Sequence, residues 1–162
     1  MGSGKSTTGK DLAKTLGYEF VDLDQYIESK YELAVTDIFK KFGELGFRKR
    51  EREALHEVLQ KTNLVLSLGG GTPVYYDNMD VINKNSESIY LRVQLPQLVK
   101  RLESKKHTRP LIAHIPDEDL MEFVAKHLFE RNPFYSQAKH TIAIGTQSAS
   151  EVLNQIMEII KK

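Results

Sequence analysis

The chain opens with Met1-Gly2-Ser3-Gly4-Lys5-Ser6-Thr7, which is the strongest local signal in the sequence. This stretch matches the second half of the pattern G-x-x-x-x-G-K-[ST], whose glycines let successive backbone N–H groups turn inward onto phosphate oxygens. In such a loop Lys5 reaches the β- and γ-phosphates of a nucleotide, and Ser6 ligates Mg²⁺. The alternative, a flexible Gly/Ser tail left by cloning, is disfavoured by GKST and by the helical pattern that follows.

That helical pattern runs from Lys5 to Leu16 and ends at Gly17, a residue typical of helix C-caps. The N-terminus of the helix adds its partial positive charge to the anion site. The first glycine of the loop and the apolar strand that normally precedes it are not in the sequence, because the chain begins inside the motif. In a doubly wound sheet that strand is central. We therefore expect the natural protein to extend upstream by about 5–10 residues, and the first strand to be missing from this chain.

Along the rest of the chain, short segments rich in Val, Ile and Leu alternate with segments of helical period. The predicted strands are residues 18–22, 64–68, 88–92 and 141–144. The predicted helices are residues 5–16, 25–30, 35–42, 47–61, 95–104, 120–132 and 150–162, the last behind a Ser150 cap. This alternation predicts an α/β fold in which helices cross over a central parallel sheet.

The composition limits the class of protein. With 162 residues, of which 40% are hydrophobic, the chain suits one domain with its own core. Lys and Arg total 23 against 22 Asp and Glu, so no overall field favours nucleic acid or an anionic membrane. The absence of cysteine excludes disulfides and thiolate chemistry. No apolar run reaches the roughly 18 residues of a membrane span, and we expect a cytoplasmic protein.

Two aspartates, Asp22 and Asp24, follow the first predicted strand. At this spacing both carboxylates project the same way from an extended backbone, one toward metal and phosphate and the other toward an acceptor hydroxyl. The alternative is that they cap and begin the helix at residues 25–30, because acidic residues are favoured there. The two interpretations are compatible.

Three successive glycines, Gly69 to Gly71, follow the second predicted strand. They remove every side chain at the carboxyl end of a strand, which is where open α/β sheets bind their ligands. A tight turn is the alternative, although a turn usually needs only one or two glycines. We favour close approach of the backbone to a substrate.

Three arginines each stand beside a Phe or a Pro: Arg48 follows Phe47, Arg109 precedes Pro110, and Arg131 belongs to the sequence RNPFY. Guanidinium forks suit bidentate binding of carboxylate or phosphate. Any one of them alone is typical of a solvated surface charge. The segment around Arg109 contains two prolines and little periodicity, which is typical of an exposed, mobile loop.

Taken in order, the motifs GSGKST, DLD, FRKRE, GGGTP, RPL and RNPFY resemble the motif series of the shikimate kinases. The resemblance covers nearly the whole chain and is specific in combination. It implies a three-layer P-loop kinase fold related to the nucleoside monophosphate kinases, in a single domain over residues 1–162. It also implies a mobile lid at about residues 105–118 and a substrate-binding helical region at about residues 25–60.

The resemblance further implies which residues bind the nucleotide. The ATP-binding residues would be Gly2, Ser3, Gly4, Lys5, Ser6, Thr7, Arg101, Arg109 and Gln147. Ser6 and Asp22 would hold Mg²⁺, Arg101 would stack on adenine, and Arg109 would reach the phosphates when the lid closes. The late loop departs from the basic, Pro-containing loop of the family, so the role of Gln147 stays open.

A second group would bind the acceptor. The substrate-binding residues would be Asp24, Arg48, Glu51, Gly69, Gly70, Gly71 and Arg131. Arg48 and Arg131 would hold the shikimate carboxylate and Asp24 the ring hydroxyls. Gly70 with its neighbours would close the pocket, and Glu51 would support it.

The reaction implied by the resemblance is transfer of the γ-phosphoryl group of ATP to the 3-hydroxyl of shikimate, in the pathway to chorismate and the aromatic amino acids. Lys5, Asp24 and Arg109 would be catalytic, mainly through positioning and charge stabilisation. Asp24 would accept the proton or only orient the hydroxyl. The expected partners are ATP and shikimate, with Mg²⁺ as cofactor, in a monomer.

Two alternatives stay open at this point. One is another small-molecule kinase of the same fold, acting on gluconate or a nucleoside monophosphate, because a phosphate loop does not select an acceptor. The other is a nucleotide-binding fragment that is inactive through N-terminal truncation. The paired arginines and the three glycines argue against the first, and the retained Lys5, Asp22, Asp24, Arg109 and Arg131 argue against natural loss of catalysis.

Overall fold

A computed structural model describes residues 2–108 and 110–161. The chain divides into two compact units, one of residues 5–88 and the other of residues 1–4 and 89–162. The expected single domain over residues 1–162 stays a prediction. In the described part of the chain, no helix has both the length and the apolar character that a membrane crossing requires.

The unit of residues 5–88 is built on one pair of parallel strands. Its elements are α1 (Lys5–Leu16), β1 (Glu19–Asp22), α2 (Leu23–Tyr31), α3 (Val35–Val58), β2 (Leu64–Ser67), a 3₁₀ turn (Thr72–Val74) and α4 (Asn78–Asn85). Strands β1 and β2 run parallel, with Glu19 opposite Leu64 and Asp22 opposite Ser67. Because the strands are parallel, the residues that end them lie at the same edge.

The unit that contains residues 89–161 repeats this arrangement with a second parallel pair. Its elements are β3 (Ile89–Val93), α5 (Leu95–Glu103), a 3₁₀ turn (Lys106–Thr108), α6 (Pro110–Ala113), α7 (Asp117–Tyr135), β4 (His140–Ile144) and α8 (Ala149–Ile160). Ile89 lies opposite His140 and Val93 opposite Ile144. The predicted α/β class with parallel strands is therefore confirmed, and all four strands agree with the sequence prediction to within one residue at each end.

Each unit has buried apolar side chains of its own. In residues 5–88 they are Leu12, Ala13, Val21, Leu23, Ile27, Ile38, Phe47, Ala54, Leu55, Val58, Met79 and Ile82. In residues 89–161 they are Leu91, Val93, Leu98, Val99, Leu102, Ile112, Leu120, Val124, Ile142, Ile144, Val152 and Ile156. Most come from one face of a helix or from a strand, as the apolar periodicity of the sequence predicts.

Gly43 decides the shape of α3. The sequence predicts two helices, residues 35–42 and 47–61, separated at Gly43; the structure has one segment that ends at Val58 and bends at this glycine, which adopts φ 70° and ψ −178°. Residues other than glycine are disfavoured in that conformation. The bend is therefore encoded by the glycine, whereas the continuation of the helix beyond it is not evident from the sequence.

Two further sequence predictions need correction. Helix α4 was not predicted, because its three asparagines are weak helix formers; burial of Met79 and Ile82, three residues apart on one face, stabilises it. The segment around residue 110 was predicted as loop, yet it contains a 3₁₀ turn and α6. Lys106 pairs with Asp117 across it, with 2.5 Å between Nζ and Oδ1. The mobility of the expected lid stays a prediction.

The cap of α8 is Ser148 rather than the predicted Ser150. The Ser148 hydroxyl accepts a hydrogen bond from the Glu151 backbone N–H, and the Glu151 carboxylate accepts one from the Ser148 backbone N–H at 2.7 Å. This reciprocal capping box requires a Glu or Gln three positions after the cap. Ser148 has that partner in Glu151.

Replacing Ser148 by Ala therefore destabilises the protein more than replacing Ser150. We expect Ser148→Ala to lower the free energy of unfolding by about 1 kcal/mol, the usual cost of losing an N-cap. Urea denaturation followed by far-UV circular dichroism measures both variants. A larger loss for Ser150→Ala would contradict the assignment of the cap.

Candidate active site

The residues of the phosphate loop have the backbone geometry that the motif requires. Gly2 and Gly4 adopt φ +71° and +84°, where residues with a side chain are strained. Gly2 is also closely packed, because an added Cβ would lie 2.9 Å from Leu98 Cδ1. Helix α1 begins at Lys5, as predicted, so the first turn of the helix offers unpaired backbone N–H groups to an anion.

Three polar side chains meet at the edge where β1 and β2 end. The Ser6 hydroxyl lies 3.5 Å from Asp22 Oδ2 and 3.4 Å from the hydroxyl of Ser67. The other carboxylate oxygen, Asp22 Oδ1, accepts hydrogen bonds from the backbone N–H groups of Asp24 and Gln25 at 3.1 and 3.4 Å. The predicted helix cap at Asp22 is therefore confirmed, and it leaves one oxygen directed at Ser6.

This cluster has the donors of a magnesium site. Mg²⁺ prefers oxygen ligands and usually takes one or two carboxylates, with substrate phosphates and water completing its shell. Two hydroxyls and the carboxylate oxygen directed at Ser6 fit that preference. Ser67 was missed in the sequence, although a polar residue at the end of the apolar run from Leu64 to Leu68 was a signal of its position.

Asp24 is partly buried in the first turn of α2. Burial raises the pKa of its carboxyl group, and the negative charges of Asp22 and Glu51 raise it further, while the positive charge of Lys5 opposes them. Gly69 leaves space beside this group, since a Cβ added there would lie 3.4 Å from Asp24 Oδ1. A carboxylate with a raised pKa is a better proton acceptor than an ordinary one, and it also accepts hydrogen bonds from hydroxyl groups.

Arg48 and Glu51 form a buried ion pair on α3. They are 8% and 1% exposed, and Arg48 Nη1 donates to Glu51 Oε2 at 2.9 Å. The second oxygen, Glu51 Oε1, accepts a hydrogen bond from the hydroxyl of Thr72 at 2.7 Å. Desolvating two charges is costly unless each has partners of good geometry. The carboxylate has such partners at both oxygens.

The glycine segment forms the turn considered in the sequence and packs closely against Arg48, while close approach of its backbone to a substrate stays a prediction. It forms a turn, because the backbone N–H of Thr72 donates to the carbonyl of Gly69 at 3.1 Å. It also allows close approach, since a Cβ on Gly71 would lie 2.5 Å from Arg48 Nη2. Gly70 lies between these two glycines. The backbone therefore packs against the guanidinium as no residue with a side chain could.

In the other unit, Arg131 lies partly buried on α7, next to Asn132. The Tyr90 hydroxyl donates to Asn132 Oδ1 at 3.0 Å, and the ring centroids of Tyr90 and Tyr135 are 5.2 Å apart. His127, one helical turn before Arg131, has its pKa lowered to about 4, mainly by burial and then by the positive charge of Arg131. The contact between Tyr90 and Asn132 was not evident from the sequence, because these two residues are far apart along the chain.

The remaining predicted nucleotide-binding residues differ in their surroundings. Arg101 is exposed on α5. Gln147 folds back on its own loop: its Oε1 accepts from the Gly145 N–H at 2.5 Å, and its Nε2 donates to the Ala143 carbonyl at 3.1 Å. Arg109 lies outside the described residues.

The features of this chain are those of the P-loop kinases. They are a glycine loop that leads into a helix, an oxygen cluster at the end of two parallel strands and a buried arginine. Comparison with known proteins gives the family. A model of the family described as shikimate kinase matches residues 1–161. The chain is 43% identical to the shikimate kinase of Parabacteroides distasonis over 99% of this chain and 95% of that protein. The chain belongs to the shikimate kinase family.

Solved structures agree with this assignment. A crystal structure of shikimate kinase from Bacteroides thetaiotaomicron superposes with a TM-score of 0.92 at 37% identity, over 100% of this chain and 94% of that one. A complex of the Acinetobacter baumannii shikimate kinase with shikimate superposes with a TM-score of 0.85 at 34% identity, over 99% and 88%. The expectation of a missing first strand is not borne out by these comparisons.

The function is ATP-dependent phosphorylation of shikimate, and the enzyme is a kinase with an alcohol as acceptor. The alternatives considered in the sequence are not favoured. Eight relatives of 38–44% identity, matching at least 86% of this chain, each carry the name shikimate kinase.

The lowered pKa of His127 predicts how stability responds to acid. The folded state holds this histidine neutral down to about pH 4, whereas the unfolded chain takes up a proton near its ordinary value of 6.5. The unfolded state therefore binds more protons between these values, and stability falls as the pH drops from 6.5 to 4. We expect His127→Gln to reduce this acid loss, measured by urea denaturation at intervals of pH.

The matched control is His56→Gln, which replaces an exposed histidine on α3. We expect it to leave the acid loss in place. If His127→Gln and wild type lose stability in parallel between pH 6.5 and 4, His127 does not have the environment described.

Proposed function

We propose a division of roles among the site residues in the transfer of the γ-phosphoryl group of ATP to the 3-hydroxyl of shikimate. One group binds the nucleotide and its metal, a second orients the acceptor hydroxyl, and a third binds the acceptor's carboxylate. The observation that carries the proposal is the buried guanidinium of Arg48, whose Nε has no hydrogen-bond partner among the residues described. Such a group favours an anionic ligand, and shikimate is a carboxylate.

The nucleotide would be bound by the loop and the start of α1. The backbone N–H groups of residues 2–7 and the side chain of Lys5 would hold the phosphates, supported by the positive φ of the two loop glycines. Ser6 and Asp22 would hold Mg²⁺, and the hydroxyl of Ser67 is near enough to join them. When bound, the metal neutralises charge on the β- and γ-phosphate oxygens.

Asp24 would act on the acceptor hydroxyl. Its raised pKa makes it a better proton acceptor, and the space left by Gly69 is next to its carboxylate. Because the transition state of phosphoryl transfer is loose, orienting the hydroxyl would contribute as much to catalysis as removing its proton. Both roles need the ionised carboxylate in the same place.

The remaining roles rest on the motif resemblance. Arg131 would share the substrate carboxylate with Arg48, and Arg109 would reach the phosphates when residues 105–118 close over them and exclude water. Arg101 would contact adenine. Gln147, engaged with its own loop, would act on the base through the backbone it supports. The enzyme would work as a monomer in the cytoplasm.

The choice of acceptor is tested by measuring ADP release from the purified protein with ATP and Mg²⁺. We expect saturable turnover with shikimate, and only background hydrolysis with gluconate or CMP, which do not carry the same carboxylate and hydroxyls. Turnover with gluconate or CMP and none with shikimate would overturn the assignment.

Arg131→Ala tests the acceptor site separately from the nucleotide site. We expect kcat/KM for shikimate to fall by a factor equivalent to roughly 2–5 kcal/mol of transition-state stabilisation, because a desolvated carboxylate loses a charged partner. KM for ATP should change little. Arg92→Ala, which removes an exposed arginine from β3, is the matched control. An equal loss for ATP and shikimate would contradict the role of Arg131.

A further inference from the structure

The guanidinium of Arg48 is surrounded by parts of one short segment, residues 69–78. Gly71 packs against its Nη2, and the ring centroid of Tyr75 lies 4.1 Å from its Cζ. Thr72, in the same segment, donates to the Glu51 carboxylate that pairs with Arg48. Arg48 Nη1 is thus occupied by Glu51, while the nearest oxygen of Glu44 is 3.8 Å from Nη2. The position of the guanidinium therefore depends on this segment as well as on α3.

Thr72 acts on Arg48 through Glu51. Its side chain is completely buried, and its carbonyl accepts a hydrogen bond from Asn78 Nδ2 at 2.8 Å, so its backbone is held in place. A carboxylate paired with Arg48 through one oxygen alone can rotate. With Thr72 on Oε1 and Arg48 on Oε2, both oxygens have a partner and one orientation is preferred.

Tyr75 limits the guanidinium from a second direction. Its ring stacks on Arg48, an arrangement favoured for planar cations on aromatic faces. Its hydroxyl donates to Glu44, on the same helix as Arg48, so the ring is tied to α3. Phe47 and Phe39 also lie near the guanidinium, with centroids 5.1 and 6.0 Å from Cζ, but Tyr75 is the closest of the three rings.

We infer that Thr72 and Tyr75 are positioning residues that hold the Arg48 guanidinium in the orientation in which it binds the carboxylate of the acceptor. This inference rests on the proposed role of Arg48. Nε is the guanidinium nitrogen left for a ligand among the described residues, because Nη1 is occupied by Glu51 and Nη2 lies against Gly71 and 3.8 Å from Glu44. Neither residue touches the reacting atoms, so their loss acts on acceptor binding.

Thr72→Val removes the hydroxyl at nearly constant volume, and Thr72→Ser keeps it. We expect Thr72→Val to raise KM for shikimate about tenfold to a hundredfold, the effect of losing one hydrogen bond to a buried charged group, with kcat and KM for ATP nearly unchanged. Thr72→Ser should restore most of the affinity. Thr15→Val is the matched control, because Thr15 also uses its hydroxyl in a hydrogen bond, on the exposed surface of α1.

Tyr75 provides a variant that disturbs the buried core less. Tyr75→Leu removes the ring from Arg48, whereas Tyr75→Phe keeps the ring and loses only the contact with Glu44. We expect KM for shikimate to rise more with Leu than with Phe. Tyr76→Leu is the control, because the Tyr76 ring lies beside Arg52, 5.0 Å from its Cζ.

A double-mutant cycle separates this inference from the function on which it rests. Arg48→Lys keeps the charge but loses the planar fork, and it should raise KM for shikimate by itself. If Thr72 acts through Arg48, adding Thr72→Val to Arg48→Lys should raise KM little further. An unchanged KM in Arg48→Lys would overturn the role of Arg48.

If Arg48→Lys raises KM but neither Thr72→Val nor Tyr75→Leu does, the positioning role is wrong and the proposed function stands. If the Thr72 and Arg48 effects on KM simply multiply, Thr72 does not act through Arg48. Thermal melting of each variant completes the set: a lower melting temperature with wild-type KM would mean that these residues only stabilise the fold, which also overturns the inference.

Discussion

The buried ion pair between Arg48 and Glu51 is the constraint on which the proposed acceptor site depends. A charged pair removed from water is tolerated only when its remaining hydrogen-bonding groups are satisfied. Thr72 supplies one such bond to Glu51. Because Gly71 has no side chain, the backbone that carries Thr72 lies close to the ion pair without a clash with Arg48. Three elements therefore pack around the Arg48–Glu51 ion pair: the glycine segment, the 3₁₀ turn and α3.

The nucleotide side depends on a simpler constraint, the parallel alignment of β1 and β2. Parallel strands bring Asp22 and Ser67 to the same edge, in register with each other. Ser6, in the first turn of α1, then meets both. Because Asp22 also caps α2, one carboxylate connects the helix that carries Asp24 with the oxygen cluster. Small changes at Asp22 would therefore reach both the oxygen cluster and Asp24.

Much of this was accessible from the sequence because it is encoded locally. The loop glycines, the start of α1, the four strands and the cap at Asp22 each depend on residues within a few positions of one another. Two local patterns misled the sequence prediction: it places the cap of α8 at Ser150 where the structure has Ser148, and the asparagines of α4 conceal a helix that tertiary burial stabilises. Ligand-binding roles for the arginines beside Phe or Pro are predicted only through the order of all six motifs.

The sequence by itself determined the class of fold, the family and the identity of the phosphate loop, because the ordered motifs and their spacing are properties of the chain. Only the tertiary structure decided which atoms meet: Ser67 with Ser6, Thr72 with Glu51, and the Tyr75 ring with Arg48. The two residues of each pair lie between 21 and 61 positions apart along the chain. Contacts at such separations follow from strand register and helix packing, which no local pattern specifies.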